Sequence, residues 1–172
     1  MRKTINHIIN FFWTLLAFYP VLDYWYHTGI NNWFIVSIFI STLIGFAPGK
    51  FYRQLHFSKR RSFYENLGVK IIRKFVQNGD LVKKVQTEKE STIIKDVASA
   101  KKYLLTLEMY SRFHWVCFFF FLFSSFHAIF TGQALSSFVM LLANILYNIT
   151  AILLQQYNKM RIQRILTIVH DV

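Results

Sequence analysis

Disulfide and metal chemistry find almost no material in this chain, whose single cysteine is Cys117. It cannot close an internal bridge, and Cys-x-x-Cys spacing for zinc or redox work is absent. No metal and no cofactor are therefore expected. Two prolines and six glycines exclude collagen-like repeats and long disordered linkers. Acid is scarce as well: 8 Asp and Glu face 20 Lys and Arg, for a formal net charge of +12. No internal repeat is found.

What the chain has instead is grease. Of its 172 residues 54% are hydrophobic and 19% aromatic, with 19 Phe and 9 Tyr, more than a soluble core of this size needs. High hydrophobicity and high net charge coexist when each keeps to its own stretch, and here they do. Apolar runs cover residues 8–26, 33–47, 113–130 and 134–154. A membrane-spanning helix needs roughly 20 apolar residues, within about 17 to 25. The fourth run meets that length and the third nearly does. The first is interrupted by Pro20 and Asp23, and the second is short; tilt or local bilayer thinning would accommodate both. The first run also resembles a signal-peptide core behind Arg2 and Lys3, but no small-x-small cleavage site follows, so it is read as retained. The expected fold is all-α: a single polytopic membrane domain of four transmembrane helices in two hairpins.

The cations orient it. Lys and Arg occupy the first three residues, the segment 50–112 and the tail from Lys159, whereas the connections 28–32 and 131–133 have none. The positive-inside rule then places both termini and the long basic loop in the cytoplasm of a cell-membrane, multi-pass protein. Trp25, Tyr26 and Trp33 fit an aromatic belt on one side, Trp115 and Tyr157 on the other.

Within the loop, Phe63, Leu67, Ile71 and Phe75 recur at helical spacing beside Tyr64 and Ile72, with Arg60, Arg61, Lys70, Arg73 and Lys74 supplying charge. This predicts a basic amphipathic helix on the membrane surface. A turn is expected at 77–80. A capping box from Thr87 to Glu90 would open a second helix, with Ile93, Val97, Ala100, Leu104 and Leu107 as its stripe, running on into the third span. The expected partners are membrane lipids and anionic headgroups, with a homo-oligomer open. Nucleic acid is not expected, because the cations border spans and no recognition motif accompanies them.

The third and fourth spans form a tight hairpin. His114 lies 18 residues before Gly132, and Asn148 and Gln155 lie 16 and 23 after it. At 1.5 Å per residue His114 falls between the two amides in depth. Asn144, Asn148 and Gln155 share a helix face, so a polar seam is predicted toward the cytoplasmic side. Polar groups in a span face the bundle interior, either as interhelical glue or as chemistry. His114 is the candidate general base, since an ordinary imidazole pKa near ~6.5 suits removal of a hydroxyl proton. His127, toward the opposite leaflet, is read as structural.

From Asn148 to Arg161 the chain reads Asn-Ile-Thr-Ala-Ile-Leu-Leu-Gln-Gln-Tyr-Asn-Lys-Met-Arg. This resembles the closing signature of the glycosyl-diaponeurosporenoate acyltransferases, membrane enzymes of the staphyloxanthin pathway. Asn148, Gln155, Tyr157, Asn158 and Arg161 match it; Thr150 stands for a proline and Gln156 for an arginine. Phe63-Tyr-Glu-Asn-Leu-Gly-Val resembles a second family segment, and His114-Trp115 a third. In that third motif Thr106, Met109 and Ser111 stand where the family has its acid, base and acid, with Glu108 and Arg112 out of register. The resemblance implies acyl transfer, from a thioester co-substrate, to a hydroxyl of a glycosylated lipid in a bacterial inner membrane. It implies His114 as the catalytic base and Asn148, Gln155, Tyr157, Asn158 and Arg161 as substrate-binding residues. A non-catalytic module binding anionic lipid or a partner protein is the alternative.

Overall fold

The computed structural model describes residues 2–76 and 96–170. Among them all regular structure is helical: α1 (Arg2–Thr28), α2 (Asn32–Gly45), α3 (Gly49–Gln54), α4 (Arg61–Asn66), α5 (Val69–Ile72), α6 (Val97–Phe130), α7 (Ala134–Asn144), a π-helical turn (Ile145–Ile149) and α8 (Thr150–His170). The expected turn at 77–80, the capping box at 87–90 and Ile93 lie outside the described residues.

Among the described residues, three helices are long and apolar enough to cross a membrane: Thr4–Thr28, Val97–Phe130 and Ala134–Arg164. The fourth, α2, has 14 residues, about 21 Å at 1.5 Å per residue, less than the roughly 30 Å of hydrocarbon. Phe11, Phe39, Phe130 and Phe138 are each more than 60% exposed. Apolar surface on that scale suits lipid rather than water, and these features together fit a membrane protein. Pro20 does not end the first helix, as α1 runs through it to Thr28. The second loop helix and the third span are continuous, because α6 covers both.

The chain divides into two compact units. One comprises Phe11–Leu55 and Arg112–Ile152. Its core is Val21, Tyr24, Trp25, Phe121, Ala128 and Met140, with Phe18 and Phe34 packed against it. Both hairpin connections here turn on a left-handed glycine, Gly29 at φ 81° and Gly132 at φ 76°, a conformation that costs a side chain about 1–2 kcal/mol. Asn31 caps α2 by accepting the Phe34 N–H at 3.1 Å. The buried residues of α2 are Ser37 and Ser41. One turn further, a Cβ on Gly45 would meet Val116 Cγ2 at 3.0 Å. Small residues let α2 approach α6 closely, which is how helices gain packing energy where lipid supplies no hydrophobic drive. Arg112 closes the far end of α2, donating to the Gly45 and Ala47 carbonyls at 3.1 and 2.8 Å with its guanidinium 4.6 Å from the Tyr52 ring.

The other unit comprises Met1–Asn10, His56–Ser111 and Leu153–Val172. Ala100, Leu107 and Ile162 form a buried cluster, flanked by Tyr103, Leu104 and Leu166, so Ala100, Leu104 and Leu107 of the stripe expected on the second loop helix pack there. The single amphipathic helix expected around residues 60–75 is instead two short ones. Gly68, at φ 76°, breaks it, because a left-handed residue cannot propagate a right-handed helix. Phe63, Leu67, Ile71 and Phe75 all stay exposed, while Tyr64 and Val69 are the side chains that bury completely.

Candidate functional site

In the first unit, the histidine and both asparagines of the predicted seam meet. His114 Nδ1 lies 3.1 Å from Asn148 Oδ1. Asn148 Nδ2 donates to Asn144 Oδ1 at 2.9 Å, and Asn144 Nδ2 donates to the Phe118 carbonyl at 3.0 Å. Both asparagines are fully buried. Tyr147 stacks edge-on against the imidazole at 5.1 Å, and its hydroxyl reaches Thr14 Oγ1 at 3.3 Å. Asn148 belongs to the π-helical turn, a feature that favours functional sites because it breaks the regular hydrogen-bond ladder. His127 stands apart, hydrogen-bonded to Tyr24 and Asn31 and flanked by Trp25 and Trp33 at 5.0 and 5.6 Å.

The second unit holds the tail signature from Leu153 onward. Gln156 is buried, and its Oε1 accepts from Tyr64 Oη at 2.9 Å and from the Phe57 N–H at 3.1 Å. Tyr157, also buried, donates to Glu65 Oε1 at 3.0 Å. Arg61 Nε donates to the same oxygen at 2.7 Å, and Lys70 lies 3.0 Å from the other. The Lys70 and Arg61 hydrogen bonds hold the Glu65 carboxyl at about 2, far below the usual carboxylate range. Arg61 and Arg161 each lie 5.7 Å from the Tyr157 ring centroid. Burial pushes the Tyr64 phenol up. It pushes His56 down, an effect the Lys159 charge reinforces. Gln155 is half-buried, and its Oε1 has no hydrogen-bond partner among the described residues. Asn158 is half-buried and Arg161 exposed.

Thus Tyr64 and Glu65, from one family-like segment, are bonded to Gln156 and Tyr157 of another. That union went unread in the sequence, where Gln156 figured only as a departure from the signature. The out-of-register charges have other partners. Glu108 pairs with Lys159, and Arg112 is spent on the end of α2.

Residues 48–168 match the family model of glycosyl-4,4'-diaponeurosporenoate acyltransferase, which is more than two thirds of the chain. The chain belongs to this acyltransferase family. No curated protein and no solved structure matches it. His114, Asn144, Asn148 and the whole Tyr64–Gln156 and Glu65–Tyr157 union fall inside the family-matched stretch.

Proposed function

We infer that this acyltransferase-family protein transfers a fatty acyl group from a thioester donor to a hydroxyl of a glycosylated membrane lipid. His114 takes the hydroxyl proton as the oxygen attacks the thioester carbonyl. The tetrahedral intermediate expels the thiolate, which recovers that proton from the imidazolium, leaving an ester and a free thiol. Gln155, whose Oε1 is unpartnered, and Asn158 bind polar groups of the acceptor. Tyr157 holds the Glu65, Arg61 and Arg161 cluster in place, and Arg161 engages donor phosphate. Asn148 contacts the base itself. The protein crosses the membrane four times, with a locally thinned bilayer at α2 and with both termini and the basic segment cytoplasmic, where anionic headgroups lie.

The observation that carries this reading is the hydrogen-bonded His114–Asn148 pair within a stretch matched by an acyltransferase family. Purified protein in detergent is expected to move a labelled acyl chain from a thioester to lipid. General-base catalysis supplies roughly 10²–10⁴-fold, and His114→Ala should lose that much. Undiminished turnover in the variant removes His114 from the mechanism. Lipid mass spectrometry of cells with and without the protein identifies the product as the species that disappears.

One observation favours a second reading, a non-catalytic module that binds anionic lipid or a second copy of itself. The family-like carboxylate positions are Thr106 and Ser111, and Glu108 is engaged by Lys159. In that case charge reversal at Arg60, Arg61, Arg73 and Lys74 weakens lipid or partner binding, while His114→Ala changes nothing.

A further inference from the structure

An amide side chain has one donor end and one acceptor end, so a row of amides reads in a single direction once one end is fixed. The fixed end here is the Phe118 carbonyl, which can only accept. Asn144 must therefore turn Nδ2 toward it, at 3.0 Å, and Oδ1 toward its neighbour. That oxygen accepts from Asn148 Nδ2 at 2.9 Å, which leaves Asn148 Oδ1 facing His114 Nδ1 at 3.1 Å. An amide oxygen has no proton to give. The ring proton consequently sits on Nδ1, and Nε2 carries the free lone pair.

We propose that Asn144 is a positioning residue that, acting through Asn148, holds His114 in the Nδ1–H tautomer and so makes Nε2 the proton-accepting atom. The proposal rests on the reading of His114 as the base. A carboxylate beside an imidazole selects the same tautomer, since it too can only accept. Burying that charge at membrane depth is expensive. Two buried amides anchored on a backbone carbonyl achieve the same selection with no net charge, and a carbonyl in a helix has a second lone pair to spare for it. The row also explains how a histidine can be oriented when Thr106 and Ser111 replace the family-like acids. Without Asn144, the Asn148 amide is free to rotate by half a turn, present Nδ2 to the ring and stabilise the opposite tautomer.

The test is nitrogen NMR of protein labelled with ¹⁵N-histidine in detergent, at a pH of about 8.5, where imidazole is neutral. The His114 signals are assigned by their absence in His114→Gln. The wild type is expected to show a protonated Nδ1 and a bare Nε2. Asn144→Ala should move population to the Nε2–H form and lower kcat by about tenfold or more, with KM little changed, within the roughly 10²–10⁴-fold that a general base supplies. Asn148→Asp should keep the Nδ1–H form, whereas Asn148→Leu should release it; these two variants decide the matter if Asn144→Ala does not fold. A wild-type ring protonated on Nε2, or an unchanged tautomer in Asn144→Ala (in Asn148→Leu if Asn144→Ala does not fold), overturns the proposal. If His114→Ala retains full turnover, the base reading falls while the spectra still decide the amide row. If His114→Ala is inactive and Asn144→Ala is normal in both tautomer and kcat, only the positioning role falls.

Discussion

Tyr64→Phe removes one oxygen from the place where the two family-like segments join. The Tyr64 hydroxyl accepts the Ser58 N–H at 3.1 Å and lies 2.8 Å from the Ser58 carbonyl and 2.9 Å from Gln156 Oε1. It has one proton, so it donates to one of these at a time. In the variant, Gln156 Oε1 keeps the Phe57 N–H, but the Ser58 N–H loses its acceptor. An orphaned donor costs about 1–3 kcal/mol and a lost bond about 0.5–1.5 kcal/mol. The sum is about 1.5–4.5 kcal/mol, or roughly 3–18 °C of melting temperature for a chain of this size. Thermal unfolding in detergent, followed by intrinsic fluorescence, measures it. A double-mutant cycle with Gln156→Leu should return a coupling of about 1 kcal/mol. Phe63→Ala is the control, because Phe63 is exposed and truncation there should cost under about 0.5 kcal/mol. A melt unchanged in Tyr64→Phe, or a larger loss in Phe63→Ala, refutes Tyr64 as the anchor.

Arg112→Ala leaves the Gly45 and Ala47 carbonyls without their charged donor and should cost about 2 kcal/mol, since bonds to charged groups contribute about 1.5–3 kcal/mol. Arg112→Lys should recover less than half of that in the same melt, because an ammonium lacks the fork and the ring stacking. Acid should destabilise the protein in two windows. Half-buried His56 has a lowered pKa, so the unfolded chain binds its proton first, and stability present above about pH 6.5 falls as pH drops below it. Glu65 is held at about 2, so its contribution is complete above the ordinary carboxylate range near 4.3 and is lost as pH falls from there toward 2. Melts of His56→Gln and Glu65→Gln against pH should each flatten their own window and leave the other. In a Cys117→Ser background, Ile30→Cys and Gln133→Cys should react with an impermeant maleimide on intact cells, and Lys74→Cys only after permeabilisation; the reverse pattern overturns the proposed orientation.

The parts of this molecule legible in the sequence are those governed by local rules. Apolar runs locate the helices, and the cation-free stretches at 28–32 and 131–133 their connections, because length and hydropathy leave few options. The same short hairpin set the relative depth of its two strands of helix, which is why counting from Gly132 brought His114 to Asn148. The periodic stripe of Phe63, Leu67, Ile71 and Phe75 predicts one long surface helix, whereas Gly68, left-handed in the structure, divides it. That stripe marks what faces outward, and the anchor is the adjacent Tyr64, whose hydroxyl has partners distant in sequence.

The shared amide face is a reading that depends on regular helical spacing. In an unbroken α-helix, Asn144, Asn148 and Gln155 share a face, and Gln155 is the amide that should turn toward a partner. The π-helical turn at Ile145–Ile149 departs from the regular α-helical spacing on which that shared face is counted. Gln156, not Gln155, makes the buried bonds to Tyr64 and Phe57, and Tyr157 beside it donates to Glu65. Gln155 is left with a buried oxygen that has no partner among the described residues. No residue in Ile-Leu-Tyr-Asn-Ile announces such a turn, since none is a proline or a glycine. The turn nevertheless follows Asn144 directly and contains Asn148.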